Sequence, residues 1–168
     1  MLSRLNRLRH ALWSKAYRLV ITTKFGADAL ALHRDARLSA GCTIRPHSMV
    51  KPSIRVGAST LINGELLTFA HGGRISIGDY CFVGRNSFIW SAKRISIGDR
   101  VLISHGVNIF DNLTHPLCAA DRHQQFRSLL TVGHPAQLDL DEKDVVIEDD
   151  ALICAGAFVL RGVPIRRA

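Results

Sequence analysis

The chain is poor in the features that define several protein classes. Aromatic residues make up only 7% of its 168 positions, which excludes a core built on large rings. The four cysteines, at 42, 81, 118 and 154, show no metal-type or redox-type pair spacing, so neither a zinc knuckle nor a dithiol oxidoreductase is indicated. No glycine-rich phosphate loop is present, and nucleotide hydrolysis is not expected. The longest purely aliphatic stretch in the basic N-terminal segment is Leu19-Val20-Ile21, too short for a secretory signal or a membrane span. Acidic residues are missing altogether from residues 1–25, which hold Arg4, Arg7, Arg9, Lys15, Arg18 and Lys24. Six of the eight net positive charges therefore sit in this arm. The remainder is nearly balanced and lacks aromatic–basic interleaving, so no nucleic-acid partner is expected.

What the chain does have is a period. Aliphatic residues recur every six positions at Leu32, Leu38, Ile44, Val50, Val56 and Ile62, then at Ile77, Val83 and Ile89, and again at Ile97, Ile103 and Ile109. Neither a helix nor a flat strand produces that spacing. A chain winding as a triangular coil does, with one inward aliphatic residue per side and about 18 residues per turn. Four positions after each aliphatic residue the side chain is often small, as at Ala36, Cys42, Ser48, Thr60, Cys81, Ser87, Ala151 and Ala157. Gly or an acid often follows the aliphatic residue, as in Val56-Gly57, Ile77-Gly78, Ile97-Gly98 and Ile147-Glu148, which suits a tight turn. Cys42 and Cys81 then read as core packing, and Cys118 and Cys154 as loop and turn residues. The expected fold is all-β, a parallel β-helix over residues 28–168 preceded by a helical arm over residues 1–27.

On a helical reading of the arm, Leu5, Leu8, Leu12, Ala16 and Leu19 form an apolar stripe, with Arg4, Arg7, Ser14 and Arg18 opposite and Trp13 and Tyr17 alongside. The stripe suits a cap or subunit contact on the open end of the coil. It also suits an anionic lipid surface. The expected location is the cytoplasm, with peripheral attachment to the inner membrane face left open.

The period breaks between residues 110 and 144 and returns at Val145, Ile147, Ile153, Val159 and Ile165. Smaller breaks fall at Thr68 to Ile77 and at Trp90 to Arg94. The long excursion carries Thr114-His115-Pro116, a polar basic stretch through Asp121 to Arg127, and the acids Asp139, Asp141, Glu142 and Asp144. Loops of that length are commonly functional.

The segments Ile77-Gly78-Asp79, Ile97 to Ile103, Thr114-His115-Pro116 and Val146 to Ala157 together resemble the left-handed β-helix hexapeptide-repeat acyltransferases, most closely their sugar O-acetyltransferase branch, which includes galactoside, maltose and polysaccharide-biosynthesis acetyltransferases. The likeness spans about Leu32 to the end. It implies a left-handed coil, a homotrimer, acetyl-CoA as acyl donor, no metal, and a hydroxyl of a sugar, glycan or polysaccharide precursor as acceptor. It places the general base at His115, an acceptor contact at Asn86, and the coenzyme A groove between subunits at Ala155 and Gly156. Asp111 is a candidate for orienting His115 or holding a sugar hydroxyl, or equally for capping the strand end. His105 is the runner-up base, while His123 and His134 have no specific support. The turn reading of Asn86 and the compact-corner reading of Ala155-Gly156 stay open beside these roles.

Relatives continue with further coils where this sequence reads Pro164-Ile165-Arg166-Arg167-Ala168. Incomplete C-terminal coils are therefore expected. The competing reading is a non-catalytic or degenerate scaffold lacking a complete coenzyme A site. A zinc enzyme on the same coil would need three converging histidines, and His105, His115, His123 and His134 do not reproduce the close pair such enzymes carry.

Overall fold

The computed structural model describes residues 2–133 and 139–167, with side chains from Leu12 onward. His134 and the Arg4, Leu5, Arg7 and Leu8 side chains of the arm lie outside the described residues. The long helix α1 (Leu2–Phe25) leads into strands that wind around a single core. The first coil comprises β1 (Leu30–Leu32), β2 (Arg37–Leu38) and β3 (Thr43–Pro46). The second comprises β4 (Ile54–Val56), β5 (Leu61–Ile62) and β6 (Glu65–Thr68), and the third β7 (Ile75–Ile77), β8 (Phe82–Val83) and β9 (Phe88–Ser91). The fourth comprises β10 (Ile95–Ile97), β11 (Leu102–Ile103) and β12 (Asn108–Phe110). An excursion containing α2 (Ala119–Thr131) follows, and the coil resumes with β13 (Val145–Ile147), β14 (Leu152–Ile153), β15 (Phe158–Val159) and β16 (Pro164–Ile165).

Every third strand stacks in parallel on its predecessor. The three faces are β1-β4-β7-β10-β13-β16, β2-β5-β8-β11-β14 and β3-β6-β9-β12-β15. The chain is thus an all-β parallel β-helix. Each face turns one column of aliphatic side chains inward, such as Leu38, Ile62, Val83, Ile103 and Ile153, all buried. Burying each of these contributes about 1.5–3 kcal/mol, and each rung contacts only the rungs above and below it. Val50 is an exception to the six-residue count: it is partly exposed, because a bend from residue 47 to 53 separates β3 from β4.

The recurring Ile-Gly-Asp has a role beyond the turn. Asp79 Oδ1 accepts the Ala58 N–H of the coil below, Asp99 Oδ1 accepts the Asp79 N–H at 2.8 Å, and Asp149 Oδ1 accepts the Asp99 N–H at 2.9 Å. A Cβ on Gly78 would stand 2.2 Å from Asp99 Oδ1. The glycine is there to let the next coil's carboxylate reach over it. At the last coil, where Gly and an acid would follow Ile165, the charges reverse: Arg166 and Arg167 bond instead to Glu148 and Asp150.

The arm docks with the opposite face from the one its leucines suggest. Ser14 and Ile21 are buried, while Leu12 and Leu19 are 67% and 68% exposed. The reason lies in the open end of the first coil, whose backbone groups have no coil beneath them. Arg18 donates to the carbonyls of Leu32, His33 and Ala36; Ser14 Oγ accepts the Leu38 N–H; Tyr17 Oη accepts the Ile44 N–H; and Trp13 Nε1 donates to Ser39 O. Polar partners for an unpaired edge outweigh burial of the leucines. Burial lowers the Arg18 pKa, while its charge stays in place against the carbonyls.

Candidate functional site

All the breaks in the period emerge at one corner, between the third face and the first. Residues 47–53, 69–74, 92–94, 111–133 and 139–144 leave the coil there. Asp111 secures the largest of them. It is fully buried, and its oxygens accept from Ser91 Oγ at 2.6 Å, Ala92 N at 2.7 Å, Lys93 N at 2.9 Å and Asn112 Nδ2 at 2.9 Å. With those four donors around it and no exposed surface, Asp111 faces neither solvent nor His115. This placement fits the strand-end role, and among the described residues no hydrogen bond joins Asp111 to His115.

The two limbs of the excursion are tied together above Asp111. Leu113 N donates to Leu140 O at 3.0 Å and Lys143 N to Asp111 O at 2.9 Å, with Leu140 buried between them. The acids of the descending limb are spent on local pairs: Glu142 with His71 at 3.7 Å, Asp144 with Lys93 at 3.7 Å, and Asp141 with Lys143 and Arg161. Among the described residues no group of three or more His, Cys, Asp or Glu is arranged to hold a metal ion.

At the tip, α2 packs back over the Thr114-His115-Pro116 turn. The sequence reading has this stretch as polar loop; instead Ala119, Ala120, Gln124, Gln125 and Leu129 form a helix, in keeping with their helix propensity. Arg122 Nη1 donates to the carbonyls of Pro116 and Leu117 and fastens the helix to the turn. Gln125, the buried residue of the helix at 7% exposure, meets His115: Nδ1 and Oε1 are 2.9 Å apart. With the amide oxygen as acceptor, this contact favours the tautomer that carries its proton on Nδ1 and its lone pair on Nε2. Nε2 has no hydrogen-bond partner among the described residues. His115 opens onto a cavity of about 350 Å³ lined also by Ala119, Arg122, His123 and Phe126. His123, without support in the sequence, is thereby brought beside His115.

The other sequence candidates stand at a different corner, between the second and third faces. Coil register aligns Asn86, Gly106 and Gly156, with φ of 56°, 67° and 72°. This left-handed column explains Asn at position 86, since Asn tolerates that conformation better than most residues. The Asn86 side chain is exposed and makes no side-chain hydrogen bond among the described residues. His105 and Ala155 lie beside this column, both exposed, and Gly156 N donates to His105 O at 3.1 Å. The structure therefore groups Asn86, His105, Ala155 and Gly156. The corner that carries them and the corner from which the His115 excursion emerges are separated by the width of the third face, about 13 Å for a four-residue strand.

Burial pushes the Cys42 thiol up to about 12 and raises that of Cys81, so both are inert packing groups. Cys118 and Cys154 are exposed, and all four are free thiols.

Residues 74–110 match the family model described as hexapeptide repeat of succinyl-transferase. The match spans β7 to β12, the two most regular coils. No curated protein and no solved structure matches the chain. The coil and this match give a hexapeptide-repeat β-helix.

Proposed function

We propose that the protein is an O-acyltransferase in which His115 is the general base, with acetyl-CoA as donor and a hydroxyl of a sugar, glycan or polysaccharide precursor as acceptor. The observation that carries this reading is the 2.9 Å contact between His115 Nδ1 and Gln125 Oε1 at the edge of an open cavity, which favours the tautomer whose Nε2 lone pair can take a proton. A hydroxyl is a weak nucleophile until its proton is removed. In the proposed step the acceptor oxygen attacks the thioester carbonyl carbon as Nε2 takes its proton. The tetrahedral intermediate then collapses, the C–S bond breaks, and the imidazolium returns that proton to the departing thiolate.

One chain does not unite this base with the Asn86, Ala155 and Gly156 corner, which supports a site shared between copies. A homotrimer places His115 of one copy against that corner of the next. The outward column Phe82, Leu102 and Leu152 on the second face, with Leu102 and Leu152 exposed, gives such an assembly apolar surface to bury. Small side chains at 155 and 156 leave room for the donor's pantetheine arm. Free thiols throughout favour a reducing cytoplasm.

The test begins with calorimetric titration of coenzyme A into the full chain, followed by acetyl transfer to a panel of sugars. His115→Ala should lower kcat by about 10²–10⁴-fold with donor binding intact. Gln125→Ala should lower kcat by about tenfold or more, because the ring loses its fixed tautomer. Absence of coenzyme A binding by folded protein would favour a non-catalytic scaffold.

A further inference from the structure

The outer face of α1 is an exposed apolar surface at the most basic end of the molecule. Leu12, Leu19 and Val20 are 67%, 68% and 60% exposed, with Ala16 exposed between them. In the bend after β3, Met49 is 82% exposed and Val50 39%. A helix usually buries its leucines, but here the contacts to the coil use Ser14, Tyr17, Arg18 and Ile21, leaving the leucines outward.

Charge follows the same polarity along the coil axis. Residues 1–56 hold eleven basic and two acidic side chains, a net +9, whereas residues 57–168 hold eleven and twelve, a net −1. In the arm and first coil, Lys15, Lys24, Arg34 and Arg37 are exposed, and Arg45 is half exposed. The entire net charge of the protein therefore belongs to the end that carries the leucines.

We propose that this end docks on an anionic lipid surface, with Leu12, Leu19 and Val20 entering the headgroup–acyl boundary and the surrounding lysines and arginines contacting acidic headgroups. Among the described residues no helix is long and apolar enough to cross a membrane, so the proposed attachment is in-plane and reversible. A second copy does not fit as the occupant, because two +9 ends would be brought face to face. Nucleic acid satisfies the charge but offers exposed leucines nothing to be buried in.

The test is flotation of the protein with vesicles of phosphatidylcholine alone and of phosphatidylcholine with about one-third phosphatidylglycerol, whose anionic headgroups attract basic residues near the surface. Binding is expected only with the anionic vesicles and should weaken with added salt. Lys15→Glu should lower the partition coefficient by about fivefold or more. Leu12→Gln/Leu19→Gln should abolish binding; both sites are solvent-exposed, and circular dichroism reports that the fold is kept. Equal binding to neutral vesicles, or binding indifferent to the double substitution, would overturn the proposal. So would self-association, detected by light scattering, that the double substitution removes without any vesicle binding: the face would then be a contact between copies. Tighter binding to duplex DNA than to anionic vesicles would also overturn it. None of these readouts requires acyl transfer, so their outcome is independent of the proposed chemistry.

Discussion

Asp111 and His115 are four residues apart and do opposite work. Asp111 is sealed inside the coil, and His115 stands outside it. Asp111→Ala would leave the N–H groups of Ala92 and Lys93 and the Asn112 side-chain amide without their acceptor in a buried corner, while the Ser91 hydroxyl keeps Arg74 O. A loss of about 3 kcal/mol is expected from urea unfolding, since each stranded buried donor costs about 1–3 kcal/mol and some rehydration follows. Asp111→Asn should recover only part of this, because one end of an amide donates and would face other donors. Activity should fall with either variant, since the limbs carrying His115 are rooted on this carboxylate. Sequence position does not separate the two roles: an acid at the edge of a long loop suggests exposure, and only the coil below reveals the three donors awaiting it. Gln125 was hidden for a related reason. Its role arises from a helix folding back over the turn, a tertiary contact across ten residues that no spacing rule announces.

At the scale of elements, the coil was legible and the appendages were not. A stacked rung imposes the same requirement at each repeat, so aliphatic, small and glycine positions recur visibly from Leu38 to Val159. Helical periodicity reports where the leucines of α1 lie and not which face meets the coil, because that contact is decided by unpaired backbone groups at the coil end. The repeat carries two predictions. Gly78→Ala places a Cβ 2.2 Å from Asp99 Oδ1 and 2.6 Å from Gly98 O. Such contacts force one coil away from the next, and a loss of about 2–4 kcal/mol is expected, seen as a lower thermal midpoint. The second concerns the last coil. Hydrogen bonds from Arg167 N and the Arg166 guanidinium hold the Glu148 carboxyl below its ordinary value of 4.5, and the Arg100 guanidinium holds Asp150 below 3.8. A carboxyl depressed on folding contributes stability above its unfolded value and loses it as pH falls through the folded value. The protection factor of the Glu148 amide, which donates to Ile165 O at 2.9 Å, should therefore, relative to the intrinsic exchange rate at each pH, be high and flat from pH 5 to pH 8, to about a unit at either limit, and fall below about pH 4. Salt should reproduce part of the effect, because these groups are exposed and screened.

For the whole molecule, the decisive relation is the separation of His115 from the Asn86, Ala155 and Gly156 corner. A coil of three faces has three edges, and this chain equips two of them differently: one extrudes a base on a helix-braced loop, the other keeps a column of small and left-handed residues. If one copy's loop serves its neighbour's column, two differently damaged chains can repair each other. His115→Ala removes the base and leaves the column; Ala155→Trp obstructs the column and leaves the base, at an exposed position that should tolerate the larger side chain. Each variant alone should be inactive. Mixed after dissociation and reassembled in equal amounts, random trimers should recover roughly a quarter of wild-type activity, because a site is sound only where an intact loop meets an intact column. Mixtures that stay inactive while native mass spectrometry shows mixed trimers would place both halves of the site on one chain. That result would require α2 and the His115 turn to swing across the third face during turnover, against the buried Asp111 and Leu140 anchors that hold the base of the excursion to the coil.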